Sequence, residues 1–130
     1  MAYVYGAVED LQGHTLVGSH QCVALVQAMA GAPVTSAWRE GAAVSDSLTL
    51  AKGTAIATFV NGRYPSHAHG NHAALYISQS AAGIVVMDQW AGQPDNKPTV
   101  SWRLIPFRGK DKQGRYIRSS DNADAFSVIE

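Results

Sequence analysis

The sequence predicts an α+β domain, and three observations predict it. One apolar helix pattern stands near the amino end, strand-type alternation fills much of the chain beyond it, and most of the strand candidates succeed one another through short connections. A chain of 130 residues suits a single domain, residues 1–130, built around one core.

The helix pattern runs from Ser19 to Ala30, between Gly18 and Gly31-Ala32-Pro33. Ser19 is a candidate N-cap, and Gly31 with Pro33 beyond it is a stop signal. Val23, Val26 and Ala30 form one stripe and Cys22, Leu25 and Met29 the next, a face wide enough to bury. Trp38 to Val44 reads as a short second helix. Beyond it the hydrophobic period drops to two. Thr54–Val60, Asn71–Ser78, Ile84–Trp90, Thr99–Phe107 and Ala125–Ile129 are strand candidates, with a turn at Ser80-Ala81-Ala82-Gly83 between the second and third. Short connections favour antiparallel pairing. The expectation is an amino-terminal helix packed on an antiparallel sheet of about five strands.

Composition excludes several function classes. Apolar residues make up 46% and charged residues 15%, too much apolar surface for a disordered tail. Ten basic side chains balance ten acidic ones, so nothing favours binding to nucleic acid, which needs accumulated positive charge. A single cysteine excludes an internal disulfide framework, a cysteine-based zinc finger and an iron–sulfur cluster. No apolar run reaches the ~18 residues of a membrane span, so no membrane insertion is expected. The segment Met1–Asp10 lacks a basic start and carries Glu9 and Asp10, so it reads as no signal peptide. The expected product is a cytoplasmic monomer that would leave the cell only by another machine.

The lone cysteine is the first chemical lead. A helix N-terminus lowers a thiol's pKa through its unpaired N–H groups and macrodipole. Cys22 lies in the first helical turn, after the polar Ser19-His20-Gln21. A lone cysteine is more often a small buried hydrophobe, but that role needs no polar approach. A nucleophile needs a base. Of five histidines, only His72 falls in a strand, on the face of Ala74 and Tyr76. Asp88 follows Ile84 and Val86 in the next strand, an even number of positions from His72. In a regular antiparallel pair the two are expected to share a face. Gln89 is the second choice for orienting His72, reachable only through a bulge. Trp90, on Asp88's face, is expected to edge the site.

A rival reading is a metal centre. His67-Ala68-His69-Gly70-Asn71-His72 offers H-x-H-x-x-H, to which Asp88 could add a fourth ligand. That run straddles a loop and a strand start, so its ligands do not share a regular face. The cysteine reading is preferred, with no metal or other cofactor. The loop Arg108–Arg118 holds five of the ten basic residues; it is either a solvated loop or a grip for a carboxylate-bearing substrate or acidic partner.

A family resemblance enters with these residues. Gly18-Ser19-His20-Gln21-Cys22-Val23-Ala24-Leu25-Val26 resembles the nucleophile helix of papain-like bacterial cell-wall hydrolases, the CHAP amidases in particular. Lys52–Phe59 resembles their glycine-led strand, Gly70–Tyr76 their histidine strand and Val86–Trp90 their acid-bearing strand, all in family order. Many of those enzymes carry Glu then Asn where Asp88 and Gln89 stand here, which leaves the orienting residue open. The runs GNHAALYI and DQW look most like type VI secretion amidase effectors of the second family. The resemblance implies a papain-like domain and a cysteine amidase that cuts peptidoglycan stem peptides. The bond it implies is the cross-link between D-alanine and diaminopimelate. It also implies export by the type VI secretion apparatus into the periplasm of target cells, and a periplasmic immunity protein as partner. In this reading Cys22 attacks, His72 is the base and Asp88 orients it. The Cys22 N–H holds the oxyanion, and Gln21, Gln89 and Trp90 are candidates for substrate or oxyanion contacts. Other classes stay open: a non-enzymatic cell-wall-binding module, or a deamidase or protease of the same fold acting on protein.

Overall fold

A computed structural model describes residues 1–92 and 96–130. Among these residues one α-helix, α1 (Cys22–Ala30), precedes six strands: β1 (Glu40–Ala43), β2 (Ala55–Thr58), β3 (Ala73–Ser80), β4 (Gly83–Asp88), β5 (Ser101–Pro106) and β6 (Phe126–Ile129). They form one antiparallel sheet in the order β1-β6-β2-β3-β4-β5. A cysteine-headed helix packed on an antiparallel sheet is the α+β arrangement the sequence predicts, with six strands instead of about five.

The extra strand corrects the second helix expected at Trp38–Val44. Glu40–Ala43 within that stretch form β1 instead, followed by a 3-10 turn at Val44–Asp46. The cause is non-local. Arg39 N–H donates to Glu130 O at 2.7 Å and Glu130 N–H to Arg39 O at 2.8 Å, which begins a ladder with the chain's last strand. Trp38 is fully buried, and its indole N–H donates to Pro33 O at 2.8 Å. That anchor fixes where the edge strand starts.

The helix begins three residues later than expected. Gln21, extended at φ −73° and ψ 156°, is the N-cap, and the Ser19 hydroxyl accepts from Gln21 N–H at 3.4 Å without capping the helix. Gly31 ends the helix as read, left-handed at φ 76° with its N–H on Gln27 O at 3.2 Å. Leu25 and Val26 are completely buried against Leu75 and Met87 on one face of the sheet. Burial of each such side chain contributes about 1.5–3 kcal/mol. The small Ala55, Ala57 and Ala73 lie in that same core, where their short side chains leave room for the helix. The opposite face carries a second core around Tyr76, Val86, Ile105 and Phe126.

The β3–β4 hairpin decides what the site looks like. Ser80 pairs with Gly83, Gln79 with Ile84 and Ser78 with Val85; then Tyr76 pairs with Val86 and Leu75 with Met87. Ile77 is the extra residue, a β-bulge. Without it, the two-residue turn would put His72 and Asp88 on opposite faces, because paired positions near the turn differ by an odd number. The even spacing of His72 and Asp88 therefore does not set the shared face by itself. The bulge does. Gly83, at φ +146°, has no substitute at the turn, since a Cβ there would stand 2.1 Å from Ile105 O.

Candidate active site

The site assembles where three elements end. Cys22 is the first residue of α1, His72 immediately precedes β3, and Asp88 closes β4. His72 is fixed to the neighbouring strand: its N–H donates to the Thr58 hydroxyl at 3.0 Å, and its carbonyl accepts from Thr58 N–H at 3.0 Å. On the shared face its Nε2 lies 2.8 Å from Asp88 Oδ2. That leaves Nδ1 as the ring nitrogen for the thiol, which also has the Tyr64 hydroxyl 3.7 Å from Sγ.

Asp88 is wholly buried and surrounded by donors. Lys97 Nζ reaches Oδ1 at 2.6 Å, and Arg103 Nε reaches Oδ2 at 2.7 Å. Lys97 also donates to Ser101 O at 2.7 Å, and Arg103 continues to Asp121 at 2.9 Å. Burial opposes Asp88's charge, but the His72 hydrogen bond and the three nearby cationic groups hold its carboxyl well below the usual carboxylate range. Burial likewise opposes charge on His72, yet the hydrogen bonds and charges of Asp88 and Cys22 push it up to about 9. For Cys22, burial pushes the thiol up. The hydrogen bond and charge of His72, helped by the Tyr64 hydroxyl and the Ala73 N–H, bring it below its ordinary value. The arrangement favours a thiolate beside an imidazolium, a pair with the chemistry of a nucleophile and an acid.

Of the other expected site residues, Trp90 stands at the edge of the site. It is half-buried, its ring meets the His72 ring edge-on at 6.4 Å, and Lys97 and Arg103 stand 5.1 and 5.2 Å from its centroid. Gln21 lines the cleft beside Cys22. Gln89 does neither thing expected of it. It is fully buried, accepts from Val17 N–H at 2.8 Å, and donates to Val17 O at 2.9 Å and Gln21 O at 2.8 Å. With both amide protons engaged, it has none for an oxyanion, and none of these hydrogen bonds goes to the imidazole. It instead ties down the turn ahead of Cys22, in which Gly18 and His20 take positive φ values of 56° and 72°. A non-glycine residue in that conformation costs on the order of 1 kcal/mol, which the Gln89 clamp helps offset.

An open cleft with two lobes passes over the site. One lobe, about 290 Å³, contains Gln21, Cys22 and Tyr64; the other, about 450 Å³, contains Arg103, Arg118 and Asp121. His72, Asn71 and Trp90 border both. His67 and His69 line separate lobes, and Asp88 is enclosed by its three cationic neighbours. Among the described residues no three potential ligand side chains converge on one point, so the H-x-H-x-x-H run does not form a four-ligand centre with Asp88. The basic loop does not face the cleft as a unit. Arg108 pairs with Asp121 at 2.8 Å, Arg115 with Asp111 at 3.4 Å, Lys110 lies over Tyr116, and Lys112 is exposed. Only Arg118 of that group lines the cleft.

Sequence reasoning missed Tyr64, Asn71, Thr58, Lys97 and Arg103. A signal for Arg103 existed. In Ser101–Pro106 the positions Ser101, Arg103 and Ile105 alternate with the exposed Trp102 and Leu104, so the polar pair shares the inner face with Ile105, opposite Asp88 and Val86. Lys97 and Tyr64 lie in loops that carry no period.

Known proteins match the whole fold. The family profile described as domesticated amidase effector 2 matches residues 4–129. The type VI secretion amidase effector 2 protein of Salmonella typhi is 46% identical over 134 residues, spanning all of both chains. The domesticated amidase effector 2 of Ixodes scapularis is 32% identical over 125 residues, 92% of this chain and 78% of that protein. A solved structure of type 6 secretion amidase effector 2 superimposes with a TM-score of 0.89 at 45% identity, covering 98% of this chain and 94% of that one.

Proposed function

The chain belongs to the domesticated amidase effector 2 family, an amidase family with type VI secretion members, and from that premise we propose that it hydrolyses peptidoglycan stem peptides with Cys22 as nucleophile. The observation that carries the proposal is the His72–Asp88 pair at 2.8 Å beside the thiol at the head of α1. In this mechanism the Cys22 thiolate forms a bond to the amide carbon. The imidazolium gives its Nδ1 proton to the leaving amine as the C–N bond breaks. Water, deprotonated by His72, then attacks the thioester, and the thiol leaves with the product a carboxylate.

The bond proposed is the cross-link between D-alanine of one stem and diaminopimelate of its neighbour. The setting proposed is the periplasm of a rival cell, with an immunity protein guarding the producer. The experiment is a mass-spectrometric inventory of muropeptides after digestion of purified sacculi. Cross-linked dimers are expected to disappear while intact tetrapeptide monomers accumulate. Monomers shortened after D-glutamate would put the cut inside the stem and remove the cross-link assignment.

The second lobe supports a substrate with free carboxylates. Arg103 and Arg108 are neutralised by Asp88 and Asp121, whereas Arg118 has no ion pair among the described residues. A planar guanidinium suits a carboxylate of the stem peptide. Arg118→Gln is expected to raise KM for a cross-linked stem-peptide dimer roughly fivefold with kcat nearly unchanged, the size of one exposed charge-assisted hydrogen bond. An unaltered KM would end the role given to Arg118.

A further inference from the structure

Tyr64 is held for a purpose the reaction so far does not use. It belongs to the loop between β2 and β3, yet it is only 8% exposed. Its ring packs on Trp38 with centroids 4.9 Å apart, and Trp38 is itself pinned through its indole N–H to Pro33 O. A rigid aromatic platform therefore sets the position of the hydroxyl. That hydroxyl meets two groups: Asn71 Nδ2 at 3.0 Å and Cys22 Sγ at 3.7 Å.

The donor inventory fixes its direction. A phenol has one proton and accepts through its lone pairs, and an amide nitrogen can only donate. Asn71 therefore occupies a lone pair of Tyr64 and leaves the proton for the sulfur. Asn71 Oδ1 is buried without a partner among the described residues. With the amide turned round, Oδ1 would take the Tyr64 proton and the amide's two N–H groups would lose the phenol as acceptor. The phenol stays protonated, because burial and the neighbouring thiolate both push its pKa up.

We propose that Tyr64 is a catalytic hydrogen-bond donor, holding the Cys22 sulfur at rest and passing its proton contact to the carbonyl oxygen as that oxygen becomes an oxyanion. An acyl oxygen bonded through carbon to Sγ falls within reach, about 2.7–3.1 Å, of a hydroxyl placed this close to the sulfur. The other donor is the Cys22 N–H, which has no intrahelical acceptor at the head of α1. Tyr64 thus supplies the second donor that Gln89, with its amide protons engaged, does not provide. The assignment rests on Cys22 being the nucleophile, so its test separates the two ideas.

The variant is Tyr64→Phe, which keeps the ring on Trp38, with Asn71→Ala as its partner. The first readout is the pH dependence of Cys22 alkylation by iodoacetamide, which needs no peptidoglycan. The apparent thiol pKa is expected to rise by about one pH unit in Tyr64→Phe, and in the same direction in Asn71→Ala. The second readout is hydrolysis of a stem-peptide dimer, where kcat should fall about 100-fold with KM little changed. A Tyr64→Phe protein with an unchanged thermal midpoint, an unshifted alkylation profile and kcat within threefold of the parent would overturn the proposal. A shifted alkylation profile with unchanged kcat would overturn the oxyanion role. Inactivity of the parent toward every stem peptide, with the alkylation shift intact, would strike the amidase reading and leave the Tyr64–Cys22 contact standing.

Discussion

Cys22→Ala is expected to lower amide hydrolysis by at least roughly a thousandfold and to leave the fold in place. The first half rests on position. No other cysteine exists in the chain, and the thiol is the atom on which the imidazole, the Tyr64 hydroxyl and the Ala73 N–H converge. The second half rests on size and burial. Cys22 is only half-buried, and alanine at the first helical position suits a helix at least as well as cysteine. The circular dichroism spectrum and thermal midpoint should therefore change little. Hydrolysis of stem peptides at even a tenth of the parent rate would rule out a thiol mechanism. The same substitution should be visible at His72. Part of what raises its pKa to about 9 is the neighbouring thiolate, so in Cys22→Ala the imidazole should titrate lower in an NMR pH series.

The ion pair also sets the direction of the pH profile. Rate should climb as the thiol ionises, below the ordinary thiol value, and fall again as pH passes about 9 and His72 loses its proton. Stability carries the matching sign. His72 binds its proton more tightly folded than unfolded. Its contribution is complete below about pH 6.5 and declines as pH rises through about 9.

What could be read in the sequence divides along physical lines. The helix, its glycine stop and five of the six strands rest on local periodicity, and that signal travels with the residues themselves. The first strand does not. Glu40–Ala43 is extended because Arg39 exchanges two hydrogen bonds with Glu130 at the far end of the chain, and no window around Gly41 contains that partner. The helix starts three residues late because Gln89, just beyond the end of β4, holds the Gln21 carbonyl and the Val17 amide and carbonyl.

The site divides in the same way. Cys22, His72 and Asp88 are identifiable as chemistry-bearing groups at the starts and ends of elements. Their convergence is not, since the parity of His72 and Asp88 depends on a bulge at Ile77 that nothing in the sequence QSAAG or its flanks specifies. Gln89 departs from its expected task for the opposite reason. Its chemistry suits an oxyanion, but a buried amide satisfies the nearest unpaired backbone groups first. Tyr64 and Lys97 reach the site from loops, where side-chain direction is set by tertiary contacts alone.

Asp88→Asn should damage stability and activity together, and the two losses can be separated. The carboxylate is wholly buried and accepts from His72, Lys97 and Arg103 at 2.8, 2.6 and 2.7 Å. An asparagine keeps the shape but replaces one acceptor oxygen with a donor nitrogen. Turned one way, that nitrogen confronts Lys97; turned the other, it confronts His72 and Arg103. Lys97, only 8% exposed, is left without its counter-charge in either case. Removing one partner of a buried ion pair costs about 3–5 kcal/mol, which a urea midpoint would register clearly. The same change withdraws the charge that holds His72 protonated, so the imidazole should titrate lower and hydrolysis should fall on the order of 10²–10⁴-fold. The double variant Asp88→Asn with Lys97→Met removes the stranded cation and should recover much of the lost midpoint. It cannot restore the carboxylate beside His72, so activity should stay at the single-variant level. Recovery of activity along with stability would make Asp88 a structural anchor only. An Asp88→Asn protein with parental midpoint and parental rate would show that the carboxylate has neither role.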